Sequence, residues 1–223
     1  MTSIQNNLDE VRATLPEGVK LVAVSKFHPL EKLKEAYRAG QRDFGESIVK
    51  ELQTKQPQMP SDVCWHFIGH LQTNKVKYIA PYIDLIHSVD SFKLMKEINH
   101  RASINNRIIK CLLQLHMAEE EQKHGFVPDK CIEMLTDGEW RKLDNIKICG
   151  IMTMATNTSD STIIHRDFAG AKQLFDYIKT NFFSNDSDFS IRSYGMSGDY
   201  HIAISEGSNM VRVGTRIFGE REY

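Results

Sequence analysis

The chain has 223 residues, and its 28 Lys and Arg against 29 Asp and Glu leave a net charge of −1, so no basic excess exists to grip a phosphate backbone and a nucleic-acid reader is disfavoured. With 41% apolar and 26% charged residues it has an ordinary globular composition, and a chain this long buries about 70% of its unfolded surface without staples. No apolar run approaches about 18 residues, and the polar, acidic start from Met1 to Glu10 lacks the apolar stretch of a secretory signal.

In chain order, Ile4, Leu8, Val11 and Leu15 have helical spacing, and Lys20–Ser25 reads as a buried strand. Pro29 suits a helix start and Gly40 its stop. Arg42–Gly45 is a second strand, followed by a helix from Ser47 to Thr54 and a loop over Gln56–Pro60. Val63–Ile68 is a third strand, Asn74–Ala80 a short helix, Ile83–His87 a fourth strand, and Phe92, Met95, Asn99 and Ala102 mark a helix. Ile108–Leu115 is a fifth strand, a helix starts near Pro128, and Ile146–Met152 is a sixth strand. After a polar loop, Phe168, Ala171, Phe175, Ile178 and Phe182 form the strongest helical stripe. Phe189–Tyr194 is a seventh strand, Asp199–Glu206 a helix, and Met210–Val213 an eighth strand.

Eight strands alternating with helices imply parallel pairing and a closed (β/α)₈ barrel, a single domain over residues 1–223 with an extra N-terminal helix. An open doubly wound sheet is the alternative, but no GxGxxG, Walker A or GxSxG segment is present to give it a usual function. The four cysteines form no CxxC pair, and three lie in apolar runs, where a thiol acts as a small hydrophobe. Reduced thiols and a cytoplasmic protein are expected.

A barrel carries its site at the C-terminal ends of its strands. The polar residues ending the apolar runs are therefore the candidates: Lys26, Glu46 with Ser47, His66 with Gly69, His87 with Ser88, His116, Thr153, Ser197, and Arg212 with Gly214 and Thr215. Strand alternation puts Lys26 on the face of Val22 and Val24, at the barrel mouth if that face points inward. A lysine withdrawn from water can form an imine with an aldehyde; the plain alternative is a lysine ending a strand in solvent. Arg212 shares a face with Met210 and Gly214 and must meet a partner if buried. Gly214 and Thr215, with the Gly195–Gly198 loop, occupy the usual phosphate site of this fold; the alternative is an arginine on an internal carboxylate beside a glycine that only turns the chain. Cys64 and His66 lack the further ligands a zinc site needs, and Glu119–Glu121 reads as a solvated loop.

These residues also compose a motif set. Ala23-Val-Ser-Lys26, Phe44-Gly-Glu46, Trp65-His-Phe-Ile-Gly69 with Leu71-Gln-Thr-Asn-Lys75, Gly150-Ile-Met152, Gly195-Met-Ser-Gly-Asp199, Ala203, Gly207 and Val211–Gly219 follow one another in the order of the pyridoxal 5′-phosphate homeostasis proteins, the PROSC-like family, which the chain resembles from Leu21 to Tyr223. The resemblance implies a barrel similar to the alanine racemase N-terminal domain, with pyridoxal phosphate held as a Schiff base on Lys26. It implies phosphate contacts from Ser197, Gly214 and Thr215, and an approach of Arg212 to the pyridine nitrogen. Ser47 stands where family members often carry Asn; it is shorter and offers no amide donor.

Arginine donates to a ring nitrogen but cannot leave a proton there, so Arg212 argues against transamination and decarboxylation. Alanine racemases add a β-domain, whereas this sequence ends at Tyr223, just past the eighth strand; an open mouth is the expectation. Such a site suits a carrier that buffers pyridoxal phosphate and delivers it to pyridoxal phosphate-dependent apoenzymes. A small racemase that borrows its second acid or base from a dimer partner is the alternative. Lys123, in the loop after strand five, is a candidate second attachment point, against a solvated loop lysine.

Overall fold

Eight parallel strands close on themselves in the computed structural model, which describes residues 3–118 and 124–220. Glu119–Glu121 and Lys123 lie outside the described residues. The strands are β1 (Lys20–Val24), β2 (Asp43–Glu46), β3 (Cys64–Phe67), β4 (Leu85–Val89), β5 (Ile109–Gln114), β6 (Ile146–Met152), β7 (Ile191–Met196) and β8 (Met210–Val213). Each pairs with the next, and β8 returns to β1 with Val22 opposite Arg212. The expected (β/α)₈ barrel is thus the fold.

The helices are α1 (Ser3–Ala13), α2 (Leu30–Arg38), α3 (Val49–Lys55), α4 (Val76–Ile79), α5 (Phe92–Ile104), α6 (Pro128–Asp137), α7 (Ser161–Phe182), α8 (Tyr200–Ser205) and α9 (Thr215–Phe218). Their ends follow local chemistry. The Ser91 hydroxyl accepts from the Leu94 amide at the start of α5, and the Asp160 carboxylate from the Thr162 amide at the start of α7. Pro128 occupies the first turn of α6.

Two apolar layers hold the barrel. The larger lies between strands and helices and includes Leu8, Leu33, Phe44, Ile86, Phe168 and Ile217. The smaller fills the lower barrel with Val22, Leu85, Leu112, Cys149, Met152 and Met210. At Gly150 (φ 151°) a Cβ would stand 1.9 Å from the Ile191 carbonyl oxygen, so only glycine lets β6 meet β7 there.

Several boundaries differ from the sequence expectation. β4 and β7 each begin two residues late, because the apolar residues ahead of them are used elsewhere. The Ile83 amide donates to the Ile79 carbonyl in the turn closing α4, and Phe189 stacks on Phe175 and Phe183 outside the barrel. The helix after β2 starts at Val49, leaving Ser47 in the loop, and Gln56–Gln58 of the expected loop forms one 3₁₀ turn. α9 was not expected; with four residues it has no periodicity to read.

Candidate functional site

At the C-terminal mouth the chain forms a cavity of about 240 Å³. Lys26, Ser47, Ser197, Arg212, Gly214 and Thr215 all line it, so every residue singled out for cofactor contact converges on one space. Val24, Ile68, Met154, Met196 and Gly198 complete the wall. A wider groove of about 620 Å³ adjoins it at Ser47, but it is lined from α3, the end of β3 and the segment up to α4, and receives no residue from β7 or β8.

Lys26 follows β1 directly. Val22 lies in the inner apolar cluster and Val24 in the cavity wall, so alternation delivers Lys26 to the same interior face. Ser25 points the other way, and its hydroxyl donates to Glu46 Oε1 at 2.7 Å. Glu46, expected at the mouth beside Ser47, is instead turned outward behind β1. Strand β2 alternates, so Glu46 and Ser47 cannot share a face. The Lys55 ammonium meets Glu46 Oε1 at 2.8 Å, Glu51 Oε1 at 2.6 Å and the Ser25 carbonyl at 2.8 Å. The Glu51 carboxylate also accepts the Phe27 amide at 2.6 Å, and Phe27 holds φ 64°, a strained value for a non-glycine residue. This buried ionic knot therefore fixes the backbone on both sides of Lys26. Burial lifts the Glu46 carboxyl to about 7 against the pull of Lys55 and Ser25.

The opposite wall comes from β7, β8 and α9. The Ser197 hydroxyl accepts the Gly214 amide at 3.1 Å, tying the two loops together, and the Ser197 carbonyl accepts Arg216 Nε at 2.9 Å. Among the described residues the amides of Thr215 and Arg216 meet no protein acceptor. Gly195 (φ 87°) turns the end of β7 against α8, where a Cβ would lie 2.7 Å from that of Ala203. The Gly69 backbone approaches Ser47 so closely that a Cβ there would stand 2.4 Å from the Ser47 carbonyl oxygen, which holds Ser47 at the rim.

Arg212 lies beneath, buried. Its Nη1 donates to the Ser193 carbonyl at 2.5 Å and the Ser193 hydroxyl at 2.6 Å, and its Nη2 donates to the Thr153 carbonyl at 2.9 Å. The sequence left open an internal carboxylate as its partner; a hydroxyl and two carbonyls take that place. A guanidinium has five N–H donors; these three bonds leave two unspent, and the residue also lines the cavity. Desolvation lowers its pKa to about 10, with Asp199 acting against the fall, and it stays cationic near neutrality.

His66 and His87 do not reach the mouth. With β4 starting at Leu85, His87 is mid-strand and points into the barrel, where its Nε2 meets His66 Nδ1 at 2.8 Å. His116 and Ser88 are likewise absent from the cavity wall, and Thr153 contributes there only through its carbonyl to Arg212. The four cysteines are free thiols, and burial raises the pKa of each, to about 12 for Cys131 and about 11 for Cys149. No described helix is long and apolar enough to cross a membrane.

The family model for the alanine racemase N-terminal domain matches residues 1–222. A pyridoxal phosphate homeostasis protein of Schizosaccharomyces pombe is 37% identical over 99% of this chain and 94% of its own. One of Vibrio alginolyticus is 33% identical over the whole of both chains. Among solved structures, PipY of Synechococcus elongatus superposes with a TM-score of 0.91 without pyridoxal phosphate and 0.88 with it bound, at 34% identity over 97% of this chain and all of that one. An alanine racemase of Clostridium difficile shares the fold at a TM-score of 0.79 and 15% identity, and this chain spans 57% of it. The chain therefore belongs to the alanine racemase N-terminal domain family, among the pyridoxal phosphate homeostasis proteins.

Proposed function

We propose that this protein binds pyridoxal phosphate at the barrel mouth, holds it reversibly on Lys26, and buffers and delivers it to pyridoxal phosphate-dependent apoenzymes. The donor set fits the group. The amides of Thr215 and Arg216, with the Ser197 and Thr215 hydroxyls beside them, suit a phosphate dianion. Arg212 offers its unspent N–H groups to a ring nitrogen, and Lys26 supplies a primary amine across the cavity. The cofactor's aldehyde condenses with a primary amine to a Schiff base and releases water. The protein's part is to hold the phosphate, to keep a permanent cation under the ring, and to present the Lys26 nitrogen at the end of a braced strand. The name of the relatives and the cofactor-bound PipY support this reading.

One observation carries the choice of carrier over racemase. Among the described residues lining the cavity, Lys26 is the one side chain of an ordinary general acid or base; no His, Tyr, Cys, Asp or Glu shares the wall. Racemisation needs a proton donor and acceptor on opposite faces of the substrate carbon, and Arg212 is always charged. The loaded protein should therefore exchange the α-hydrogen of alanine or serine for deuterium far more slowly than an ordinary enzyme turns over, about 1 per second or more, and should activate an apoenzyme when mixed with it. Steady exchange at enzymatic rates that disappears in Lys26→Ala makes the protein a racemase instead.

A further inference from the structure

The barrel interior contains a polar chain that runs away from the cavity. Barrel cores are normally stacked layers of Val, Ile and Leu, and the lower layer here is of that kind. Alongside those apolar residues, however, lie Ser193, His87 and His66, all buried; His66 is in register with Leu85 and Ser193 with Met152. Ser193 Oγ meets His87 Nδ1 at 3.0 Å, His87 Nε2 meets His66 Nδ1 at 2.8 Å, and His66 Nε2 meets Asp43 Oδ1 at 3.0 Å.

With both imidazoles neutral, the direction of every bond in this chain follows from its two ends. Arg212 can only donate, so the Ser193 oxygen accepts from it. The hydroxyl's own proton has one acceptor among the described residues, His87 Nδ1, and Asp43 at the other end can only accept, which calls for a hydrogen on His66 Nε2. An imidazole that accepts at Nδ1 carries its hydrogen on Nε2, so His87 donates to His66 Nδ1, and His66 in turn donates from Nε2 to Asp43. Asp43 suits the terminal acceptor. Burial works against its charge, but His66 and Lys20, whose ammonium lies 3.2 Å from Oδ1, outweigh that and hold its pKa below the ordinary value. His87 suits a link that stays neutral: burial above all, with the Arg212 cation at the end of the chain, holds it well below the usual imidazole range. The chain ends at a second cavity of about 280 Å³ at the N-terminal mouth, lined by Lys20, Asp43, His66 and Asp84 among others.

We infer that Ser193, His87, His66 and Asp43 are positioning residues for Arg212: a one-way hydrogen-bonded chain that aims its guanidinium at the cofactor ring and answers its buried charge with a carboxylate at the far end of the barrel. Among the described residues no carboxylate pairs with Arg212 directly, and an unanswered buried cation is costly. The chain answers it through aligned dipoles while leaving the cavity side of the guanidinium open. This rests on the proposed seat of the ring above Arg212.

Two measurements test it. In the histidine-labelled apoprotein, long-range nitrogen–proton correlation spectra should show His87 and His66 protonated at Nε2 with Nδ1 accepting, and Ser193→Ala should move the His87 Nδ1 signal. Protonation of His87 at Nδ1 reverses the chain and overturns the inference without reference to any cofactor. In the second, Ser193→Ala should weaken pyridoxal phosphate binding about fivefold or more, as loss of a hydrogen bond to a charged group does, yet change it less than about twofold in an Arg212→Met background, because coupled sites are not additive. His87→Leu cuts the chain one link further from the ring and carries the same comparison if Ser193→Ala does not fold. Equal losses in both backgrounds mean that these residues do not act through Arg212, and the inference fails. A wild-type protein that shows the expected tautomers but binds no pyridoxal phosphate defeats the functional reading itself and takes the positioning role with it.

Discussion

Single side chains set what this cavity can hold. Lys26 and Arg212 were legible in the sequence because strand alternation fixes which face a residue takes once one neighbour is known to be inside; Val22 and Met210, both in the inner cluster, supply that neighbour. Gly214 and Thr215 were legible by position after the last strand. The sequence hid the partners. Ser193 and Asp43 are ordinary polar residues in short strands. His66 was grouped with Gly69 beyond the end of β3, and His87 was placed at a strand end because Ile83 imitates the first residue of a strand that starts at Leu85. Burial alone does not distinguish an apolar residue in a turn from one in a strand. At this scale the phosphate assignment is directly testable. Each hydrogen bond to a charged phosphate is worth roughly 1.5–3 kcal/mol, so Ser197→Ala with Thr215→Val should weaken pyridoxal phosphate binding at least about tenfold. Pyridoxal, lacking the phosphate, should bind both proteins alike. Equal loss for both ligands would mean damage to the fold, and no loss for either would place the phosphate elsewhere.

At the scale of elements, the site depends on how β1 ends. The strand is finished by contacts from β2 and α3 rather than by its own sequence: Glu46, Glu51 and Lys55 grip Ser25 and Phe27 on either side of Lys26. Nothing in the run Val22–Lys26 announces this, because the three partners lie twenty to thirty residues away on a strand and a helix whose start the sequence placed two residues early. The knot gives the fold a pH dependence whose sign is determined. The Glu46 carboxyl has an ordinary value of 4.5 and is raised to about 7 in the fold by burial. The native state therefore holds a proton there that the unfolded chain releases, and the associated stability is full below about 4.5 and lost as pH rises through about 7. Between pH 5 and 8 the melting temperature of the apoprotein should fall more steeply in wild type than in Glu46→Gln, which keeps an acceptor for Ser25 and Lys55 but does not titrate. Parallel profiles for the two proteins would contradict this.

For the molecule as a whole, closure makes the site. Lys26 and Arg212 are 186 positions apart in the chain and meet because β8 pairs with β1. The fold class was legible because eight βα alternations admit few other arrangements, whereas α9 was not, being a four-residue helix defined only by what packs on it. α1 makes the closure firm: Leu8 is buried under it, and the Asn7 side-chain amide donates to the Ile217 carbonyl of α9 at 2.9 Å. Leu8→Ala should cost about 2–5 kcal/mol, as other buried leucine truncations do, lower the melting temperature by several degrees, and weaken pyridoxal phosphate binding at the same time, because α9 begins at Thr215. A lowered melting temperature with unchanged affinity would show that α9 keeps its place without α1.

The central claim is that Lys26 carries the cofactor. Incubation with pyridoxal phosphate, reduction with borohydride and peptide mapping measures it directly. The account predicts one stable adduct with the cofactor's mass on the peptide containing Lys26, and none at that site in Lys26→Ala. An adduct mapping reproducibly to another lysine, with the Schiff-base absorption intact in Lys26→Ala, would contradict it.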